Sequence, residues 1–360
     1  MTEIKLMKGN EAVAEAAILA GADGYFGYPI TPQSEVLEYF MIEKPHERTG
    51  MVILQAESEV AAINMVYGGA AAGKKVMTSS SSPGVSLKQE GLSYIAGAEL
   101  PCLIVNVQRG GPGLGTIQPS QSDYFQSVKG GGHGDYKLIV LAPSSVQEMA
   151  DFVSLGFDLA FKYRNPVMIL SDGVIGQMME KVEFKPQQKR LTEEEIMKKC
   201  PWATTGKTPD RERNIITSLE LVSEKQELHN IKLQKKYKKM IDTEVLFEKF
   251  DCDDAEYLIV AFGSSARICS KAVKTLRENG VKVGLLRPIT LFPFPTEEIN
   301  KLADQVKGIL SVEMNAGQMV EDIRLAVNGK VKVEHFGRMG GVIAMPNEVV
   351  EALNNKLIGG

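Results

Sequence analysis

Ile53-Leu54-Gln55-Ala56-Glu57-Ser58-Glu59-Val60-Ala61-Ala62 passes from a short apolar strand into a helix, and an acid stands at the junction. The residues that follow, Val60 to Gly73, are small and apolar, too poor in polar side chains for a solvated helix. A carboxylate entering such a helix is costly to ionise without a partner. The bland reading is an ordinary helix start, with Ser58 as N-cap and Glu59 favoured by the macrodipole. On this run alone the bland reading is the commoner one, and the rest of the chain decides between the two.

Outward from this run, helical and extended patterns alternate. Glu11–Ala20 and Gln33–Phe40 read as helices, Gly24–Tyr28 and Met51–Gln55 as strands. Helix Val60–Ala72, strand Lys75–Ser79, helix Val85–Ala98 and strand Cys102–Val107 follow, then strand Lys137–Leu141, helix Val146–Tyr163 and strand Val167–Leu170. This is the pattern of an α/β protein with a parallel sheet covered by helices. Ligands of such sheets sit beyond the C-terminal strand ends, where Thr31, Glu59 and Arg109 all fall. Composition changes after Lys185, giving expected divisions at 1–185, 186–250 and 251–360. The middle span is a connecting arm with a long helical stretch, Ser218–Met240, whose Leu219, Val222, Leu233, Tyr237 and Met240 share a face. The last span is a second α/β module: strand Leu258–Phe262, helix Ala266–Glu278, strands Lys282–Leu286 and Gly308–Val312, helix Gln318–Val327, and a closing strand at Lys330–His335.

A chain of 360 residues can bury two cores. A net charge of −4 provides no broad basic field, so nucleic acid is not an expected partner. No apolar stretch has transmembrane length and Met1–Asn10 does not resemble a signal peptide, so no membrane association and a cytoplasmic location are expected. Cys102, Cys200, Cys252 and Cys269 are far apart, as are His46, His133, His229 and His335, so neither a metal site nor an iron–sulfur cluster is expected within the chain.

Several motifs fall away. Gly68-x-x-x-x-Gly73-Lys74-Lys75 has Lys75 where a P-loop needs Ser or Thr, and it ends a helix rather than starting one; Gly73 reads as a helix C-cap. Gly110-Gly111-Pro112-Gly113-Leu114-Gly115 lacks dinucleotide spacing, and Pro112 cannot donate a backbone N–H. Thr78-Ser79-Ser80-Ser81-Ser82-Pro83-Gly84 reads as a polar turn, open to either an anion-binding or a plain role. Gly130-Gly131-Gly132-His133-Gly134-Asp135 reads as a mobile loop, with His133 as the one imidazole within reach of a substrate.

The run Gly27-Tyr28-Pro29-Ile30-Thr31-Pro32, with Ser34 and Glu35, joins Glu57-Ser58-Glu59 and Gln108-Arg109-Gly110-Gly111-Pro112 in resembling the alpha subunit of 2-oxoacid:ferredoxin oxidoreductases. The likeness extends through Leu286-Arg287-Pro288-Ile289-Thr290-Leu291-Phe292-Pro293 and Val312-Glu313-Met314-Asn315-Ala316-Gly317-Gln318. Thr204-Thr205-Gly206-Lys207-Thr208-Pro209-Asp210-Arg211 resembles the branched-chain, 2-oxoisovalerate type. The resemblance implies a pyrimidine-binding-type thiamine diphosphate domain over 1–185 and a transketolase C-terminal-like domain over 251–360. It implies that Glu59 hydrogen-bonds N1′ of the thiamine aminopyrimidine and activates the cofactor, while Thr31 and Arg109 bind the 2-oxoacid. Arg109 suits a carboxylate as a planar bidentate donor. Thiamine enzymes hold magnesium and diphosphate with Gly-Asp-Gly followed by Asn. Here Ser171-Asp172-Gly173 has the wrong first residue and no fitting Asn follows, so Asp172 reads as a strand-end turn residue and the chain as half of a site. By resemblance a beta subunit supplies the magnesium–diphosphate half, a gamma subunit and a ferredoxin-like subunit complete the complex, and iron–sulfur clusters reside only in partner chains. CoA accepts the acyl group and ferredoxin the electrons. A 2-oxoglutarate-specific member, a non-catalytic scaffold subunit and a non-oxidative transketolase-like half are the rival readings.

Overall fold

Apolar runs at strand spacing are interleaved with helices throughout the computed structural model, which describes residues 3–207, 209 and 211–359. The chain begins β1 (Glu3–Lys8), α1 (Gly9–Leu19), β2 (Gly24–Gly27), α2 (Ser34–Glu43), α3 (Pro45–Thr49), β3 (Val52–Gln55) and α4 (Glu59–Ala71). It continues as β4 (Val76–Ser80), α5 (Ser82–Gly97), β5 (Cys102–Gln108), β6 (Ile139–Leu141), α6 (Val146–Tyr163) and β7 (Pro166–Asp172). Next come α7 (Gly173–Gln177), β8 (Met179–Phe184), α8 (Glu193–Lys199) and the long α9 (Ser223–Thr243). The remainder is β9 (Phe247–Phe250), β10 (Tyr257–Val260), α10 (Gly263–Glu278), β11 (Val283–Pro288), β12 (Thr290–Phe292), α11 (Thr296–Leu302), β13 (Gly308–Glu313), α12 (Met319–Val327), β14 (Lys332–Gly337) and α13 (Pro346–Leu353). Thr208 and Asp210, within the segment that resembles the branched-chain type, lie outside the described residues.

Seven strands form one sheet in the order β12-β6-β7-β5-β4-β2-β3, and five form another in the order β14-β13-β10-β11-β9. Both are parallel except at one edge, where β12 runs antiparallel to β6 and β9 antiparallel to β11. Every residue of β5 and β7 is buried, as expected of strands covered on both faces. The alternation in the sequence therefore corresponds to real elements, mostly within a few residues. Four strands were not foreshadowed, β1, β8, β9 and β12. In β1, which pairs antiparallel with β8, Ile4 and Leu6 point to solvent, so the burial pattern that marks a strand is inverted. β9 is largely exposed, and β12 has three residues directly after β11, too short for periodicity to register.

The long helix starts at Ser223, later than its sequence pattern suggests. Leu219 and Val222 precede it and are exposed, whereas Leu233, Tyr237 and Met240 are buried against the body. Lys232 and Lys236 both reach the buried Glu99, and His229 Nε2 lies 2.7 Å from the Gly97 carbonyl, fixing the arm to the end of α5.

Polar side chains lock the two sheets together. Gln121 Nε2 donates to the Phe262 carbonyl at 2.8 Å, and its Oε1 accepts from Ser265 Oγ at 2.6 Å and from the Met314 N–H at 3.1 Å. Asp172 caps α7 by accepting from the Val174 N–H, and its other oxygen accepts from Ser264 Oγ at 2.6 Å. Among the described residues no helix is long and apolar enough to cross a membrane.

The arm's packing is testable. Leu233→Ala should destabilise the chain by about 2–5 kcal/mol through an unfilled cavity, whereas Leu228→Ala, exposed on the same helix, should stay within about 0.5 kcal/mol. Urea unfolding of the two variants checks this; equal effects would mean that the arm does not pack as described.

Candidate active site

β2 has β3 on one side and β4 on the other, so the connections leaving its neighbours diverge and open a crevice at the C-terminal edge of the sheet. Thr31 follows β2, Glu59 follows β3, the Ser81–Gly84 segment follows β4 and Arg109 follows β5.

Glu59 is the first residue of α4, which Ser58 caps by accepting from the Ala61 N–H at 3.2 Å. The bland reading is therefore true as far as it goes, but it leaves the Glu59 side chain unexplained. That side chain is buried, only 6 % exposed, whereas Glu57 two residues earlier faces solvent. Among the described residues no hydrogen bond reaches the Glu59 carboxylate. Its neighbours come from α5, where a methyl group on Gly84 would stand 2.6 Å from Glu59 Oε1 and closer still to Ser80 Oγ. One turn further along α5 lies Lys88, fully buried, with Nζ donating to Thr78 Oγ1 at 3.0 Å. Burial brings the Lys88 ammonium down to about 8, and the nearby Glu59 charge opposes that fall. The sequence reading does not single out Lys88. Its signal was a lone charge on the stripe Gly84, Val85, Leu92, Ile95 that faces the core.

Arg109 is brought to Thr31 through the backbone. Its Nη1 donates to the Thr31 carbonyl at 2.9 Å and Nη2 to the Leu114 carbonyl at 3.2 Å, while buried Nε has no partner. No described carboxylate pairs with this guanidinium, so its charge is held by carbonyl dipoles alone. The Thr31 turn is itself rigid: the Pro32 carbonyl accepts from Asn10 Nδ2 and Gln177 Nε2, and buried Gln33 binds Ser79 Oγ and the Tyr28 carbonyl. Thr31 is exposed and directs no side-chain hydrogen bond inward. The structure thus joins Thr31 to Arg109 directly, and Glu59 to them only through the first turn of α5. There Ser82 Oγ accepts from the Arg109 N–H at 3.0 Å and donates to Asp123 Oδ2 at 2.6 Å. Burial raises the Asp123 carboxyl, and the Ser82 and Asn106 hydrogen bonds offset part of that rise.

A cleft of about 680 Å³ opens beside Arg109, between the first turn of α5, the glycine loop and Met314–Gln318 of the second sheet. Gly113 and Gly115 hold left-handed conformations in that loop, and Gly115 could not carry a side chain without striking the Gly110 carbonyl. Two sequence readings are revised. Thr78 and Ser79 lie in the buried strand β4, as the strand reading Lys75–Ser79 has it, and Ser80 extends that strand, leaving Ser81 as the hinge before α5; among the described residues Ser80 and Ser81 Oγ have no partner. The 130–135 loop rests on α5, with the His133 carbonyl accepting from Ser93 Oγ at 2.7 Å and the ring edge-on to Tyr94, away from the Arg109 cleft. Asp172 is spent on the α7 cap and Ser264 and is fully buried, so it does not offer a free carboxylate for a magnesium ion.

Comparison with known proteins follows this geometry. Residues 15–245 match the family model described as pyruvate flavodoxin/ferredoxin oxidoreductase, thiamine diphosphate-binding, and residues 255–349 match pyruvate:ferredoxin oxidoreductase core domain II. The chain is 51% identical to ketoisovalerate oxidoreductase subunit VorB of Methanothermobacter thermautotrophicus, over 97% of each chain. It is 37% identical to 2-oxoglutarate synthase subunit KorA of Methanothermobacter marburgensis, over the full length of both. Among solved structures it is similar to the 2-oxoglutarate:ferredoxin oxidoreductase of Magnetococcus marinus, bound to 2-oxoglutarate, coenzyme A and succinyl-CoA, with TM-score 0.83 and 28% identity. It covers 98% of this chain but 65% of that longer one. A split-gene transketolase shares the fold at TM-score 0.60 and 13% identity.

The glycine cradle yields a prediction. Gly84→Ala should push the Glu59 carboxylate out of place, lowering any activity that needs it by tenfold or more, for a stability cost of about 1–3 kcal/mol. Paired activity and thermal-unfolding measurements check this; full activity in a folded Gly84→Ala variant would mean that Glu59 is not held there.

Proposed function

The chain belongs to the 2-oxoacid:ferredoxin oxidoreductases, a thiamine diphosphate-dependent family, and on that premise we propose that it is the alpha subunit of a branched-chain enzyme. With its partner subunits it converts 2-oxoisovalerate and CoA to the acyl-CoA and CO2, passing the electrons to ferredoxin. The observation that carries this reading is a buried carboxylate after β3 and a guanidinium after β5, free of acidic partners among the described residues, both held by the first turn of α5 at the C-terminal edge of one sheet. The choice of substrate is supported by the 51–52% identity to ketoisovalerate subunits against 36–37% to 2-oxoglutarate subunits from archaea.

Glu59 fits the aminopyrimidine ring of thiamine diphosphate, because its side chain is buried and, among the described residues, no donor competes for its carboxylate. The bound cofactor supplies the electron sink that decarboxylation of a 2-oxoacid requires. Glu59 holds a proton at the ring nitrogen it meets. Arg109 binds the substrate carboxylate, with its orphaned Nε adding a donor. The Thr31 hydroxyl, on a turn fixed through Pro32 and Gln33, orients the substrate carbonyl.

Magnesium and the diphosphate belong to a beta subunit in this proposal. Asp172 is engaged elsewhere, and an apolar surface stands open beside Glu59: Val52 and Leu54 on edge strand β3, Val60 on α4 and Leu87 on α5 are exposed. A face of that kind, next to an incomplete site, fits a subunit that completes it. The iron–sulfur clusters reside in partner chains.

In the assembled complex Glu59→Gln should leave assembly intact and reduce turnover by roughly 10²–10⁴-fold. Thiamine- and CoA-dependent viologen reduction should favour 2-oxoisovalerate over 2-oxoglutarate, pyruvate and indolepyruvate. Preference for another acid would retain the family and discard the substrate; wild-type turnover in Glu59→Gln would discard the role of Glu59.

A further inference from the structure

Lys88 has no part in the proposal so far, yet its position is unusual. An ammonium is among the groups least tolerated in an interior, and this one is fully buried with a single hydrogen bond, to a neutral hydroxyl. Helix α5 approaches α4 on the face that carries Gly84, Lys88 and Gly91. A methyl group at Gly84 would strike Glu59, and one at Gly91 would strike Ile63, one turn into α4. The two glycines bring the helices together on either side of Lys88, so its charge lies in the same interhelical seam as the Glu59 carboxylate. The groups facing Lys88 are few. β4 contributes the uncharged Thr78 hydroxyl and α4 contributes Glu59, the one charged group acting on Lys88 among the described residues. Asp123, beneath the first turn of α5, is bound to Ser82 and Asn106 instead.

We propose that Lys88 is a positioning residue for Glu59: its fixed, buried ammonium is the counter-charge that keeps the Glu59 carboxylate turned toward the aminopyrimidine site. This rests on the cofactor-activating role of Glu59 and adds how that role is maintained in an apolar seam. In a low-dielectric interior two opposite charges interact strongly without touching, so a direct ion pair is not needed. Without Lys88 the carboxylate would keep the macrodipole of α4 but lose the one opposite charge that faces it across the seam. The effect has a pH limit. Lys88 carries its charge below about 8 and loses it above, so its hold on Glu59 weakens as pH rises through that value.

The test uses the assembled complex carrying Lys88→Met, Lys88→Arg and Glu59→Gln. Isotope-edited infrared difference spectra, with Glu59→Gln identifying the Glu59 band, read the carboxylate directly and without turnover. At neutral pH the Glu59 carboxylate band should shift in Lys88→Met relative to the wild type, and Lys88→Arg should restore the wild-type position. Thiamine diphosphate binding, followed by fluorescence quenching, should weaken roughly tenfold or more in Lys88→Met, about one pKa unit of lost interaction. Its alkaline limb near 8 should disappear in that variant. An unchanged Glu59 band and binding profile in folded Lys88→Met overturn the proposal. If Lys88→Met does not assemble, a wild-type Glu59 band that is constant through the Lys88 titration overturns it equally. Normal turnover in Glu59→Gln would instead defeat the functional reading and leave the infrared result standing, so the two failures are distinguishable.

Discussion

The site depends on how closely α4 and α5 pack. Gly84 and Gly91 remove the side chains that would hold the helices apart, and the seam they create brings α5 directly against the Glu59 carboxylate and Ile63. Glu59 enters that seam at the N-terminus of α4, where the macrodipole and the Ser58 cap fix the backbone beneath it. The same first turn of α5 that accommodates Glu59 also holds Arg109, through Ser82, so the two charged groups answer to one piece of backbone. Precision here comes from backbone approach rather than from a web of salt bridges around the reactive groups.

A second set of contacts sets the width of the cleft. Gln121, Asp172, Ser264 and Ser265 join the two sheets through buried hydrogen bonds, with Asn315 donating to the Gln121 carbonyl from the far side. Buried polar groups of this kind are expensive to separate once they are satisfied. They fix the Met314–Gln318 segment opposite Arg109, so the second module forms part of the cleft wall rather than an appendage. Glu313 reinforces that segment by accepting three backbone N–H groups at the start of α12.

Much of this was legible in the sequence. Continuous apolar runs such as Cys102–Val107 and Val167–Leu170 announced a parallel sheet, and the turn residues after β2, β3 and β5 announced where its C-terminal edge would lie. Thr31 and Arg109 could be placed at one edge because each follows a strand closely, whereas the strand order that brings them together was not legible. Lys88 could not be read, because a lysine on an apolar helical stripe is indistinguishable from one that reaches solvent until the packing is known. The serine run misled for a related reason: hydroxyls suggest a turn, yet Thr78, Ser79 and Ser80 are satisfied or buried within β4. Elements with few residues or inverted exposure, β1 and β12 above all, carry no periodic signature.

β12 has a consequence for how the chain is made. Ile139–Leu141 is an apolar strand whose outer edge is covered only when Thr290–Phe292 pairs with it. During synthesis that edge emerges long before its cover exists, leaving unpaired backbone groups beside three buried-type side chains. The nascent N-terminal module therefore waits in a form open to strand capture, and a fragment ending before residue 290 would keep that vulnerability permanently. What looks from the sequence like a boundary between two independent modules is, for the growing chain, a dependency of the first on the second.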